Sequence, residues 1–291
     1  MTARKRYNLQ WGPHRLELGK RTLVMGVVNI TPDSFSDGGL FFSSAAAIAQ
    51  GEKLARQGAD IIDIGGESTR PFSDGVPLEE ELGRVIPVIE TLARSIPVPI
   101  SIDTTKSEVA RRALKAGAAI INDISSLRHD PEMVRVAAEC AVPVILMHML
   151  GSPKTMQVSP SYDDVVSHCG DFLQQCVEDA VAKGLDRSKL IIDPGIGFGK
   201  TFEHNLTLLR RLSEFQHFDL PILVGTSRKA FIRDLLKTGG DRAPDPQDPV
   251  VETGSQATVV AAAMNGAHIV RVHDVANTSV TLKIIDAIIN A

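Results

Sequence analysis

The chain has 291 residues, enough for one large α/β domain or two small ones. Its net charge is −4 and no basic stripe appears, so nothing calls for a nucleic-acid partner, although small anionic ligands stay open. No apolar run approaches the roughly 20 residues of a membrane span, and the start, MTARKRYNLQW, lacks the apolar core of a signal peptide; a cytoplasmic location is the expectation.

Residues 6–20 alternate apolar and polar around Gly12-Pro13 and predict an N-terminal β-hairpin. Strands follow near 22–30, 60–64, 98–102, 119–122, 143–148, 189–193, 221–225 and 267–272. Each is a continuous apolar run, which suits parallel strands covered on both faces. Helical patterns fill the gaps. The first starts at Ser43-Ser44 as caps and ends at Gly58, and others lie at 78–95, 106–117, 131–140, 163–184, 205–215, 228–236, 252–266 and 279–290. The segment 238–249, TGGDRAPDPQDP, reads as a flexible linker. Cys169 and Cys176 share a helix face seven residues apart and read as reduced core thiols.

Eight strand-plus-helix units predict a (β/α)8 TIM barrel over residues 1–291 as a single domain. The rival is a doubly wound open sheet, which would gather its polar strand ends at one switch point. Here polar groups close nearly every strand, as a barrel with its site at the carboxyl ends requires.

Arg271 and His273 share a strand face, and together suit a phosphate or diphosphate; a rim ion pair with Asp274 is the alternative. Asp103, Asn122 and Asp193 close three strands, with Asp63 nearby. Singly each could be a helix cap or turn residue; jointly they make a wall suited to a flat, amide-rich heterocycle. In GTSRKAF, at 225–231, Thr226 or Ser227 reads as a helix N-cap, and the exposed N–H groups with Arg228 and Lys229 make an anion site. Lys229 could form a Schiff base, donate hydrogen bonds, or lie solvated on the helix. DPGIGFGKT at 193–201 fails the Walker pattern at Pro194 and the G-x-G-x-x-G pattern at Lys200, so it reads as a glycine-rich wall carrying Phe198. His148 reads as structural.

These segments together resemble the dihydropteroate synthase family. MGVVNITPDSFSDGG at 25–39 and DIIDIGGESTRP at 60–71 are similar to its two signatures, and ISIDT, INDI, MHMLGSPKTMQ, DPGIGFGKT, GTSRK and RVHDV follow in family order between Thr22 and Ala287. The resemblance implies an Mg2+-assisted condensation of 6-hydroxymethyl-7,8-dihydropterin diphosphate with 4-aminobenzoate, giving 7,8-dihydropteroate and pyrophosphate in folate biosynthesis. It further implies inhibition by sulfonamides and a homodimer. It places the pterin ring on Asp103, Asn122, Asp193 and Lys229 with Arg228 against its face. The diphosphate falls to Arg271, His273 and Asn29, with Asn29 the metal ligand. Thr69, Arg70 and Phe198 border the aminobenzoate, whose carboxylate rests near Ser227. The loops at 31–43 and 66–77 are expected to be mobile and to close over the site. One departure stands out: after GGESTRP the family usually continues with Gly, and this chain has Phe72. The rival readings are a pterin-dependent methyltransferase barrel, whose D-x-H-x-x-G pattern fails at Leu146, and an inactive pterin-binding paralogue, which would need a lost catalytic residue.

Overall fold

A computed structural model describes residues 4–30, 39–237 and 243–291. The hairpin pairs β1 (Tyr7–Trp11) with β2 (His14–Leu18) antiparallel, Trp11 opposite His14. Alternation decides its placement: Leu9, Trp11, Leu16 and Leu18 turn inward to the main core, while the intervening residues face water.

Eight parallel strands follow: β3 (Leu23–Asn29), β4 (Ile61–Gly65), β5 (Ile100–Asp103), β6 (Ile120–Asp123), β7 (Val144–Met147), β8 (Leu190–Asp193), β9 (Leu223–Val224) and β10 (Ile269–Val272). Their spatial order is β8-β7-β6-β5-β4-β3-β10-β9. A bridge from Ile192 to Ile222 brings β9 back to β8 and nearly closes the barrel. β9 is shorter than its apolar run because Pro221 has no N–H to donate; its carbonyl instead accepts from Ile192 at 3.0 Å. The strands are buried almost throughout, which is why they read as continuous apolar runs.

The helices are α1 (Gly39–Arg56), α2 (Leu78–Ser95), α3 (Ser107–Ala116), α4 (Met133–Cys140), α5 (Val165–Ala182), α6 (Phe202–Arg210), α7 (Ala230–Leu235), α8 (Pro249–Met264) and α9 (Val275–Ile289). Several boundaries differ from the sequence reading. α1 begins four residues before Ser43, so the serines lie inside it and cannot cap it. The pattern at 205–215 splits into α6, capped by Thr201, and a 3-10 turn over Leu212–Phe218. α8 starts on Pro249, which was assigned to the linker; proline's fixed φ suits a first helical position. Residues 238–242 of that linker, and 31–38 of the first loop, lie outside the described residues. Cys169 and Cys176 are buried free thiols on α5.

The hairpin end of the barrel is tied by a buried ion pair. Arg4 bonds to Asp286 on α9 and, through Nη1, to Thr22 Oγ1 at 2.5 Å; Asp286 Oδ2 accepts the Thr22 N–H at 2.7 Å. Removing one member of such a pair leaves an uncompensated buried charge. Asp286→Ala is therefore expected to lower unfolding free energy by about 3–5 kcal/mol, read from urea denaturation; a loss below 1 kcal/mol would show that the latch is dispensable.

Candidate active site

Strand register sets one tier of the site. Asn29, Gly65, Asp103 and Asn122 are successive partners across β3, β4, β5 and β6, all at the carboxyl ends. Gly65 leaves a gap between two polar groups: a Cβ there would meet Asp103 Oδ2 at 3.7 Å and Asn29 Oδ1 at 3.8 Å. One residue below the strand end, Arg271 on β10 reaches across the barrel. Its Nε donates to Asp63 Oδ2 at 2.6 Å and its Nη2 to Asp103 Oδ2 at 2.8 Å. Asn122 Nδ2 donates to the same Asp63 oxygen at 3.2 Å. The alternative partner, Asp274, instead caps α9 by accepting the Asn277 N–H at 3.1 Å.

Burial dominates the electrostatics. Asp103 is pushed up to about 7, chiefly by loss of water; Arg271 opposes this, and Asp63, Glu81 and Asp123 add to it. Asp193, at the end of β8, rises to about 6 for the same first reason, held back by the Gly195 N–H, which donates to its Oδ1 at 2.7 Å, and by Lys229, Lys200 and Arg271. Lys229 falls to about 8 through burial and Arg271, against Asp193 and Asp103. Its ammonium stands 4.0 Å from the centre of the Phe198 ring, so it is not a solvated helix lysine.

Phe198 is held by backbone geometry. Gly195 has φ +68°, and a Cβ there would lie 1.9 Å from the His148 carbonyl oxygen; Gly197 has φ +81° and packs on the Lys229 stem. Beneath this loop Lys200 Nζ bonds His148 Nδ1 at 2.8 Å and the Phe198 carbonyl at 2.9 Å. Burial and the Lys200 charge drive His148 down to about 2, so it stays neutral and structural, as read from sequence.

At the other wall Ser227 and His273 interlock. The Ser227 hydroxyl accepts the His273 N–H at 3.3 Å and lies 3.0 Å from Nδ1. The hydroxyl has one proton and two lone pairs, so it can pair with Nδ1 in either ring tautomer while accepting from the backbone, and the contact fixes the plane of the ring. Burial first, then the nearby Arg228, Arg271, Lys229 and Arg70 charges, lower His273 to about 3. It enters the site as a neutral ring rather than a second cation.

The anion site expected at a helix start in GTSRKAF is corrected. α7 begins at Ala230 with Lys229 before it and has only six residues, so neither Thr226 nor Ser227 caps it. Arg228, at φ +62°, breaks the turn there, and its Nε stands 3.5 Å from Glu252 Oε2. The loop at 66–77 is tethered. Arg84 holds the Gly66 carbonyl at 2.7 Å, Lys106 pairs with Glu67, Phe72 N–H donates to Pro153 at 3.1 Å, and Lys154 pairs with Asp74 at 3.0 Å. Thr69 is half-buried on this loop and Arg70 is exposed, its charge felt at His273.

A family profile described as pterin binding enzyme matches residues 25–273. The dihydropteroate synthase of Escherichia coli K12 is 49% identical over 268 residues, 92% of each chain. The chain belongs to the dihydropteroate synthase family. The crystal structure of the Yersinia pestis dihydropteroate synthase in a sulfonamide drug complex is 46% identical, with a TM-score of 0.90 over 98% of this chain and all of that one. The Xanthomonas albilineans enzyme with 4-aminobenzoic acid is 45% identical, with a TM-score of 0.89 over 98% of both chains.

Membership in the dihydropteroate synthase family also makes sense of Phe72. Its φ is +65°, a left-handed conformation that glycine enters freely and that strains a Cβ-bearing residue by about 1–2 kcal/mol. The glycine that the resemblance implies at this position would fit that backbone; the phenylalanine ring here is 65% exposed. Sequence reasoning noted Asp63 only as a neighbour and passed over Lys200. Asp63 sits mid-strand rather than at a strand end, and the lysine was weighed only against a failed phosphate motif.

The raised carboxylates are directly measurable. In carbon-13 spectra of aspartate-labelled protein, Asp193 should titrate near pH 6 and Asp103 near pH 7, far above the ordinary carboxylate range. Asp193→Asn should remove the lower transition; titration of both groups below pH 4.5 would overturn this account of the pocket.

Proposed function

We propose that the chain condenses 6-hydroxymethyl-7,8-dihydropterin diphosphate with 4-aminobenzoate, releasing pyrophosphate and 7,8-dihydropteroate, in folate synthesis. It is a transferase, and we assign it to the class that moves alkyl or aryl groups other than methyl. The observation that carries the reading is the set of buried strand-end groups, Asp103, Asn122 and Asp193, gathered with Lys229 and Arg271 in one bowl of a family barrel. The intact family signatures weigh against a methyltransferase barrel or an inactive paralogue.

The ring goes to Asp103, Asn122, Asp193 and Lys229. Asp193 keeps Oδ2 without a protein partner among the described residues, and a carboxylate can accept from the ring N3–H and 2-amino group. Lys229, near pKa 8, is mostly protonated at pH 7 and serves as a donor, not a Schiff-base amine. Arg228 lies against the ring face. Thr69, Arg70 and Phe198 border the aminobenzoate, and its carboxylate rests near Ser227, drawn by Arg70 and Arg228 rather than by a helix dipole.

Arg271, His273 and Asn29 take the diphosphate. The residues fit a magnesium ion held mostly by substrate. Among the described residues no three acidic, His or Cys side chains cluster to hold a metal, yet Asn29 Oδ1 faces the Gly65 gap across from Asp103 Oδ2, and Asp103 keeps its other oxygen, Oδ1, buried without a partner. Bound there, magnesium would neutralise the diphosphate and make it a better leaving group. Arg271 adds fixed positive charge, and neutral His273 can offer the diphosphate a ring N–H once its tautomer places the proton on Nε2. Departure of the diphosphate leaves a dihydropterin cation at the exocyclic methylene. Asp103, pressed toward its neutral form while the pocket is empty, is drawn to its charged form by that cation and stabilises it. The aminobenzoate nitrogen then attacks. The 66–77 loop, already tethered, keeps water away from the cation without a closing motion.

We further propose a cytoplasmic homodimer. No helix among the described residues is long and apolar enough to cross a membrane. On α9, Val280, Ile284 and Ile288 recur every fourth residue and are all more than half exposed, an apolar stripe that a second copy would cover.

Pyrophosphate release tests the chemistry. Turnover is expected only with both substrates present, and release without aminobenzoate would point to simple hydrolysis. In the same assay Asp103→Asn should lower kcat about 100-fold or more while weakening ground-state pterin binding far less; equal losses would remove Asp103 from the chemical step. Sedimentation velocity tests the dimer. Ile284→Glu should convert it to a folded monomer, whereas a monomeric wild type at micromolar concentration would refute the assembly.

A further inference from the structure

Asp63 makes none of the substrate contacts assigned above, yet it touches two residues that do. It is the third residue of β4, fully buried, between Ile62 and Ile64. One of its oxygens, Oδ2, receives both Arg271 Nε and Asn122 Nδ2; the other, Oδ1, is buried without a partner. An orphaned carboxylate oxygen in a barrel interior is destabilising, so a purely stabilising role is a poor explanation for this residue. We propose that Asp63 is a positioning residue that fixes which edge of Arg271 and which end of the Asn122 amide face the substrate, joining the diphosphate and pterin halves of the site. The inference rests on the synthase reading.

The chemistry of the groups leaves little freedom. A carboxylate only accepts hydrogen bonds, so Asn122 must turn its NH2 toward Asp63. Its carbonyl oxygen then lies on the opposite branch of the amide and has no protein partner among the described residues. Asn122 is thereby set as an acceptor, matching the N–H groups of a pterin edge. Arg271 presents its Nε–Nη2 edge to Asp63 and Asp103, and among the described residues Nη1 has no protein partner. The two carboxylates hold the fork from one side and leave Nη1 for the diphosphate. Without Asp63, Asp103 alone would hold the guanidinium, which could then rotate about that single bond. Asn122 would lose the group that decides its amide orientation.

Calorimetry on the intact chain separates this role from a structural one. The probes are 6-hydroxymethylpterin and magnesium pyrophosphate, titrated separately into wild type and Asp63→Ala, with thermal unfolding followed in parallel. Both affinities should fall about tenfold or more in the folded variant. Wild-type affinities in folded Asp63→Ala, even with a lower melting temperature, would overturn the proposal. Arg271→Gln compared with Asp63→Ala/Arg271→Gln covers the case where the single variant does not fold, because Asp103 loses Arg271 equally in both and the double variant leaves the guanidinium and Asp63 with no unpaired charge between them. There pyrophosphate affinity should be equal within about twofold, since Asp63 acts on it only through Arg271, whereas pterin affinity should still fall through Asn122. Equal pterin affinity in that pair would also overturn it. Failure of wild type to bind either probe would instead refute the synthase reading itself.

Discussion

A guanidinium held between two buried carboxylates organises the mouth of this barrel. Arg271 reaches from β10 to Asp63 on β4 and Asp103 on β5, spanning the strand β3 that separates them in the sheet. Two carboxylates this deep would repel each other without the cation, and the cation would be costly to bury without them. The cluster is thus mutually dependent, and its members also line the pocket. Asn122 and Asp193 are tuned by the same group of charges, one through a shared hydrogen bond and the other through the field of Arg271, Lys229 and Lys200.

The arrangement explains how a site with little acid–base work can still be reactive. Carboxylates raised to about 6 and 7, beside a lysine lowered to about 8, are groups whose charge states answer to what enters. A heterocycle with adjacent N–H groups, and then a positive centre, would both favour the ionised carboxylates. Stability elsewhere supplies the rigidity this needs. The Arg4–Asp286 pair and the hairpin close the amino-terminal end, and the positive-φ glycines of the 195–199 loop fix Phe198 against Lys229. A cavity of about 770 Å3 at the hairpin end is lined by none of the site residues, and Asp60 and Asp286 there pair with Arg21 and Arg4.

Much of this was legible in the chain. The eight apolar runs, the hairpin and the polar strand ends Asn29, Asp103, Asn122 and Asp193 follow from period and position, because buried parallel strands leave only their ends for polar groups. Three things were harder to read. The α7 boundary failed because Arg228 adopts a left-handed turn that no local signal marks. The charge on His273 stayed open because sequence carries no measure of burial. Asp63 was underweighted because a mid-strand carboxylate looks like an anomaly until its partner, 208 residues away, is seen.

By itself the sequence determined the fold class, the family and the roster of polar groups, since apolar periodicity and motif order are local properties of the chain. Only the tertiary structure decided which of those groups meet, which atoms they present and which charge they carry. Those depend on distances across a closed barrel and on exclusion of water, and both arise when β10 docks beside β3 and the ring of strands closes.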